Sequence, residues 1–236
     1  MVLSKTSIPI QGLISRKAAW EVIQSVGGGA FSDVALDRIL KNYSFNSLDR
    51  ALITELSYGA IRQRYYLDCW VDFLGKVPAT KQPPLLRWLL HLGLYQILKM
   101  ERIPPAAAIN TTVELAKTKK LSKLAPVVNG ILRGALRARA SGDGLPLPES
   151  FAARLAQEES FPIWLIDQLI SWEGVNVAQN VVKASNQVPP IDLRVLQAPP
   201  KINNILIITD LKVIQTIYRQ FYLINLHDLV ILFLYL

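Results

Sequence analysis

An all-α fold is predicted: a helical bundle followed by a short helical connector. Two observations carry this reading. Apolar residues recur at helical spacing through the first 140 residues, and proline and glycine stand where helices should begin and end. A third sets the scale. The 236 residues are 51% hydrophobic and 19% charged, enough apolar material for a real core and room for one domain with an addition.

The elements follow in order. Ser15 to Ser25 forms a short helix, stopped by Gly27-Gly28-Gly29. Phe31 to Lys41 forms a second. Ser47 to Leu74 carries apolar residues at Leu48, Leu52, Leu56 and again at Ile61, with a break or bend expected near Gly59. Pro83-Pro84 opens the next helix, whose Leu86, Leu89, Leu90, Gly93, Leu94 and Ile97 make a core stripe. Pro104-Pro105 ends it and opens another, with Ile109, Thr112, Val113 and Ala116 on one face. A last helix of the bundle runs from Leu124 to Arg139.

On a wheel of about 100° per residue, with Arg133 at the origin, Arg137 falls near about 40° and Lys123 near about 80°. Leu124, Val128, Ile131, Leu132 and Ala135 lie opposite, so one face is buried and the other is presented. Arg139 falls on the apolar side and is assigned to a frayed end. Gly130 and Gly134 flank the basic face; they allow either close approach of a ligand or packing against a neighbouring helix.

Residues 1–140 thus make the bundle and 141–148, Ser-Gly-Asp-Gly-Leu-Pro-Leu-Pro, a linker. Residues 149–200 form the connector, with helices at Glu149–Gln157, Ile163–Trp172 and Val175–Ser185 and a strand at Ile191–Leu196. Residues 201–236 differ in character. They hold no Ala and no Gly, sixteen of the 36 are Ile or Leu, and the last eight are apolar. This is the expected look of a frameshift-derived tail. An interfacial anchor or a partner strand is the functional alternative.

Charge is uneven. Residues 1–150 hold 20 Lys and Arg against 11 Asp and Glu; the remainder hold 6 against 7. Leu115 to Gly142 carries Lys117, Lys119, Lys120, Lys123, Arg133, Arg137 and Arg139 with no acid. A folded basic surface of this kind suits phosphate, because each neutralised phosphate releases counterions. Other classes are disfavoured. One cysteine excludes an internal disulfide, and two distant histidines, His91 and His227, make a zinc site unexpected. No apolar run reaches the ~18 residues of a membrane span, and Met1–Gln11 does not read as a signal peptide, so a cytoplasmic protein without membrane contact is expected.

Several stretches resemble a known domain. Arg16-Lys-Ala-Ala-Trp-Glu-Val-Ile23 is similar to the first helix of the NusB-like fold. Asp49 to Gly59 and Leu67-Asp68 resemble its third helix and continuation; Leu86 to Leu98 and Ile103-Pro104 resemble its central helix and turn. Ala108 to Lys117 and Val128-Asn-Gly-Ile-Leu132 are the strongest match. Ser160-Phe-Pro-Ile-Trp-Leu165, Trp172, Gly174, Ala184-Ser-Asn186, Pro189-Pro190 and Leu193-Arg-Val195 look like the connection found in the RsmB (Sun/Fmu) family of 16S ribosomal RNA cytosine-5 methyltransferases. The resemblance implies RNA, ribosomal in this family, as partner. A stand-alone NusB-like antitermination factor with a ribosomal protein partner is the alternative.

The family's catalytic half uses S-adenosylmethionine and two cysteines. The resemblance ends near Val195–Pro200, so the chain is expected to lack that half, to be inactive alone and to need no cofactor. Cys69 reads as a small core residue, and Gly27–Gly29 as a turn between helices. No catalytic residue and no metal ligand is assigned.

The candidate RNA-binding residues are Arg16, Lys17, Arg62, Arg64, Lys117, Lys119, Lys120, Lys123, Arg133 and Arg137. Arg16 and Lys17 match the basic start of the family's first helix, where it binds RNA. Arg62 and Arg64 precede Tyr65-Tyr66, a basic-aromatic cluster. His91 reads as structural, Trp88 as packing, and Asp49, Glu55 and Asp68 as helix caps or partners of Arg50 and Arg62.

Overall fold

The computed structural model describes residues 12–118 and 120–187, and the backbone of strands at 212–215, 221–226 and 229–234. The chain divides into two units, 1–186 and 187–236. The first is all-α.

Helix α1 (Leu13–Gly27) ends at the glycine run: Gly28 and Gly29 donate their N–H groups to the carbonyls of Gln24, Ser25 and Val26. Helix α2 (Ser32–Asn42) packs against it. Asn46 caps α3 (Ser47–Arg62), its Oδ1 accepting from the Asp49 N–H at 2.8 Å. The break after α3 falls at Gln63, where α4 (Arg64–Leu74) begins, and not at Gly59. Gly59 serves close approach instead. A Cβ there would stand 2.1 Å from the Tyr95 ring of α5, so only glycine lets these helices touch. Tyr95 then reaches past it to donate to Glu55 Oε1 at 2.6 Å.

Helix α5 (Pro84–Lys99) starts at the expected prolines and is the axle of the unit. Leu86 and every residue from Trp88 to Ile97 are buried. A helix apolar on all sides belongs in the middle of a bundle, and α1, α3, α4, α6 (Pro105–Thr118) and α7 (Ala125–Ser141) surround it. Trp20, Ile53, Leu56, Leu67, Leu115 and Leu132 close the core around it, each below 2% exposed.

Arg139 is not frayed. It lies within α7, and its guanidinium donates to the Ile97 carbonyl in the last turn of α5. Its place on the apolar side of the wheel is what aims it there, and a cation suits a helix C-terminus. The acids also depart from expectation. Asp49 accepts from Ser15 Oγ at 2.5 Å, Glu55 from Tyr95, and Asp68 binds Arg87 and His91.

After an exposed link, α8 (Phe151–Glu159) and α9 (Ile163–Ser185) pair with each other, and α8 meets α4. α9 is broken at Gly174 (φ 78°, ψ 169°), a conformation essentially reserved for glycine, so its halves match the two helices expected. The joint between α4 and the α8–α9 pair is both polar and apolar. The Tyr66 N–H donates to Ser160 Oγ at 3.1 Å, and the Lys99 ammonium lies 4.3 Å from the Tyr66 ring centre. Tyr65 and Tyr66 are thus used internally. Tyr65 packs on the Leu155–Ile166 cluster, and Tyr66 stands edge-on to Trp70.

The second unit contains a three-stranded antiparallel sheet. β1 (Lys212–Gln215), β2 (Phe221–Leu226) and β3 (Leu229–Leu234) pair in chain order, with Val213 opposite Ile224 and Leu223 opposite Leu232. Period-2 pairing of Ile- and Leu-rich segments is a natural outcome of their composition. The strand expected at Ile191–Leu196 lies outside the described residues. No described helix is long and apolar enough to cross a membrane.

Candidate nucleic-acid interface

The basic surface is built from the end of α6 to the end of α7. Lys117 stands in the last turn of α6 and pairs with Glu114 at 3.1 Å, both well exposed. Lys120 and Lys123 are exposed on the short connection that follows. Lys119 lies outside the described residues. On α7, Val128, Ile131, Leu132 and Ala135 are buried while Arg133 and Arg137 are exposed, as the wheel required. Arg133 is held upright by its own helix, its Nε donating to Asn129 Oδ1 one turn back at 3.0 Å. Five cations are therefore offered to solvent along one continuous piece of backbone.

The other candidates divide. Lys17 is exposed on α1. Arg16 beside it is not; it is only 6% exposed. Its Nε donates to Gln96 Oε1 at 2.6 Å and its Nη1 to the Gly12 carbonyl at 3.1 Å. Burial lowers its pKa, and Gln96, itself fully buried on α5, completes its own bonding to the Leu92 carbonyl. Arg16 is a bolt between α1 and α5, and the expectation that it faces outward is corrected. Helical periodicity marks it, since it falls three positions before the buried Ala19 and four before the buried Trp20.

Arg62 is exposed at the end of α3. Arg64 is also exposed, and its guanidinium stacks on the Trp88 indole at 4.8 Å beside a small hollow lined too by Ile23, Gly27, Ala60 and His91. Its pKa is lowered by burial first and then by Arg87, against an opposing pull from Asp68. Arg64 belongs to a neighbourhood of its own. There Arg87 grips Asp68 with two bonds of 2.8 and 2.5 Å, and His91 Nε2 meets Asp68 Oδ1 at 2.8 Å. Burial alone would raise the Asp68 carboxyl; the hydrogen bonds and charges of His91 and Arg87 outweigh it and hold it below its usual range. Burial pushes the His91 pKa down, against the opposing pull of Asp68. With His91 1% exposed, this is an internal strut.

Two cations went unnoticed in the sequence. Lys76 and Lys81 follow α4, and the fold brings them beside Leu124, Val127 and Gly130 of the α7 segment, across an apolar groove. No local pattern announces this, because the pairing depends on how α4 packs on α7. The glycines of α7 are also resolved. A Cβ at Gly134 would approach Leu74 of α4 to 3.2 Å, whereas at Gly130 it would meet nothing within 4 Å.

The single thiol is not poised for chemistry. Burial first, then the charges of Asp72 and Asp68, push Cys69 up to about 11, so it is protonated at neutral pH.

Comparison with known proteins supplies the kinship. The NusB family pattern matches residues 13–137. The chain is 37% identical over 182 residues to a probable ribosomal RNA small subunit methyltransferase B of Synechocystis sp., covering 77% of this chain and 40% of that protein. It thus spans about two fifths of the length of that curated relative. Among solved structures, one described as PH0851 superposes with a TM-score of 0.62 at 16% identity, over 79% of this chain and 40% of that one. A chain from a structure described as a plectonemic RNA supercoil superposes with a TM-score of 0.51 at 19% identity, over 57% of this chain and 99% of its own. At such identities the likeness is one of fold.

Proposed function

The chain belongs to the NusB family, and from that premise we propose that its helical bundle holds RNA by the phosphate backbone, as the front part of a ribosomal RNA cytosine-5 methyltransferase. The observation that carries the reading is the set of exposed cations Lys117, Lys120, Lys123, Arg133 and Arg137 between the end of α6 and the end of α7. Salt-dependent phosphate contacts give affinity and orientation; base identity is read by other means. A methyltransferase front is favoured over a stand-alone factor by the extent of the likeness. The 182-residue alignment runs beyond the family match at 13–137, and so beyond the bundle.

The glycine run and the single thiol are otherwise engaged. Gly27–Gly29 closes α1 with its own N–H groups, and Cys69 is a protonated, half-buried thiol. The role proposed for this chain is to position the RNA, in the cytoplasm.

The test is charge reversal of Arg133 and Arg137 to Glu, with binding to a structured ribosomal RNA fragment followed by fluorescence anisotropy across a salt series. Removing two phosphate contacts should reduce the slope of log K against log salt by about 1.5 to 2 and weaken diverse RNA sequences alike. An unchanged slope would remove the α7 face from the interface.

A further inference from the structure

Beside the basic face lies a groove that phosphate binding does not use. It encloses about 440 Å³ between the α4–α5 connection and the start of α7. Such a volume falls within the range of about 300–1,000 Å³ typical of specific ligand sites. Leu74, Val77 and Leu86 form one wall, and Leu124, Val127 and Ile131 the other. Val77 and Val127, 46% and 42% exposed, are its lips. Lys76 and Lys81 stand at the same rim, and no carboxylate lines it. The acid nearest along α4, Asp72, accepts from the Ala79 N–H at 2.6 Å and thereby fastens the turn that carries Lys81.

Gly130 is the second observation. A glycine inside a helix is unfavourable relative to alanine, so it calls for a reason. Gly134 has one, in its contact with Leu74; Gly130 has none within the unit, because a side chain there would enter open space. Gly130 also lines the groove, so a long side chain there would start from open space at the groove's edge. The missing side chain keeps the groove clear along α7 and lets a backbone come close.

The chemistry of the walls selects the occupant. A nucleobase is recognised by stacking on aromatic or guanidinium planes and by hydrogen bonds to its edges. The groove has no aromatic lining residue on which a base could stack. Aliphatic walls with two ammonium groups at the rim suit a peptide that alternates aliphatic and acidic side chains. We propose that this groove docks an acidic amphipathic segment of a partner protein. The segment's aliphatic side chains fill the space between α4 and α7, and its carboxylates meet Lys76 and Lys81. The site borders the cationic face of α7 but is separate from it and does not depend on RNA binding.

The experiment selects displayed random 12-residue peptides on the full chain, then measures synthetic fluorescent copies of the enriched sequences by anisotropy. Enriched peptides should combine Asp or Glu with Leu, Ile, Val or Phe. They should bind at least tenfold more weakly to Gly130→Leu, which fills the groove from a position where a side chain clashes with nothing, and to the Lys76→Glu/Lys81→Glu pair. Gly130→Leu should keep its helical circular dichroism and its RNA affinity. The proposal is overturned if no enriched peptide depends on the groove, or if the dependent ones are basic or uncharged. It is equally overturned if Gly130→Leu weakens RNA tenfold, which would give the groove to nucleic acid.

Discussion

Helices α5 and α9 are both rich in apolar residues, and they meet opposite fates. α5 buries its side chains on every side, from Trp88 to Ile97 without a gap. α9 has 23 residues and buries only Ile166, Ala178 and Val182, leaving Trp164 and Trp172 more than 65% exposed. The difference is one of neighbours. Five helices enclose α5, while α9 has α8 as its principal partner. Apolar content states what a helix can bury; the elements around it decide what it does bury.

The sharpest way to break this comparison is to carve equal cavities in both regions. Leu89→Ala in α5 should cost about 2–5 kcal/mol of global stability, because the fully buried site is held on all sides and cannot collapse. Ile166→Ala, at an equally buried position, should act locally. Hydrogen exchange should speed up across α8 and α9 and stay slow in α5. Equal acceleration throughout would show that the two regions unfold as one.

A smaller effect tests the bolt between α1 and α5. Arg16→Ala should destabilise by about 2 kcal/mol, since it strips a charged donor from the buried Gln96 oxygen. Lys17→Ala, one residue along and exposed, should change stability by less than about 0.5 kcal/mol. Urea denaturation of the two variants compares them directly. A silent Arg16→Ala would contradict the structural role.

The smallest expected effect is of pH, and it too separates the helices. His91 lies in α5 with its pKa lowered by burial, so the unfolded chain takes up a proton near its ordinary value of about 6.5 where the folded chain resists. Stability should therefore fall as pH drops below that value. Asp68 acts later. Its lowered pKa contributes stability that is present above its ordinary value and lost only as pH falls through the folded one. The melting temperature of the bundle should be lower at pH 5.5 than at pH 7.5. His91→Gln, which can still donate to Asp68, should flatten that difference; an undiminished slope would assign it elsewhere.

What could be read from sequence was local. Proline and glycine marked the ends of α1, α5 and α6, the wheel placed Arg133 and Arg137 outward, and Gly174 parted the halves of α9. What could not be read depended on contacts between distant residues. Arg16 is turned inward by Gln96, 80 positions away, and Arg139 by a carbonyl 42 positions away. Lys76 and Lys81 join the α7 edge only because α4 packs there. Tyr65 and Tyr66, which beside two arginines resembled a stacking platform, are claimed by α8, α9 and Lys99. A basic or aromatic residue in sequence is a candidate contact until the fold shows which have already been taken.

The break at Gly174 has a mechanical consequence. The eleven residues from Val175 to Ser185 form an arm about 16 Å long, set at one end by the dihedral angles of Gly174 and tied at the other, where Asn186 Nδ2 donates to the Glu159 carbonyl at 2.6 Å. A change of about 20° at that residue would swing the far tip by about 6 Å. Gly174 is thus the fulcrum of a lever, and any residue with a side chain there would have to settle in another dihedral basin and re-aim the arm as a whole.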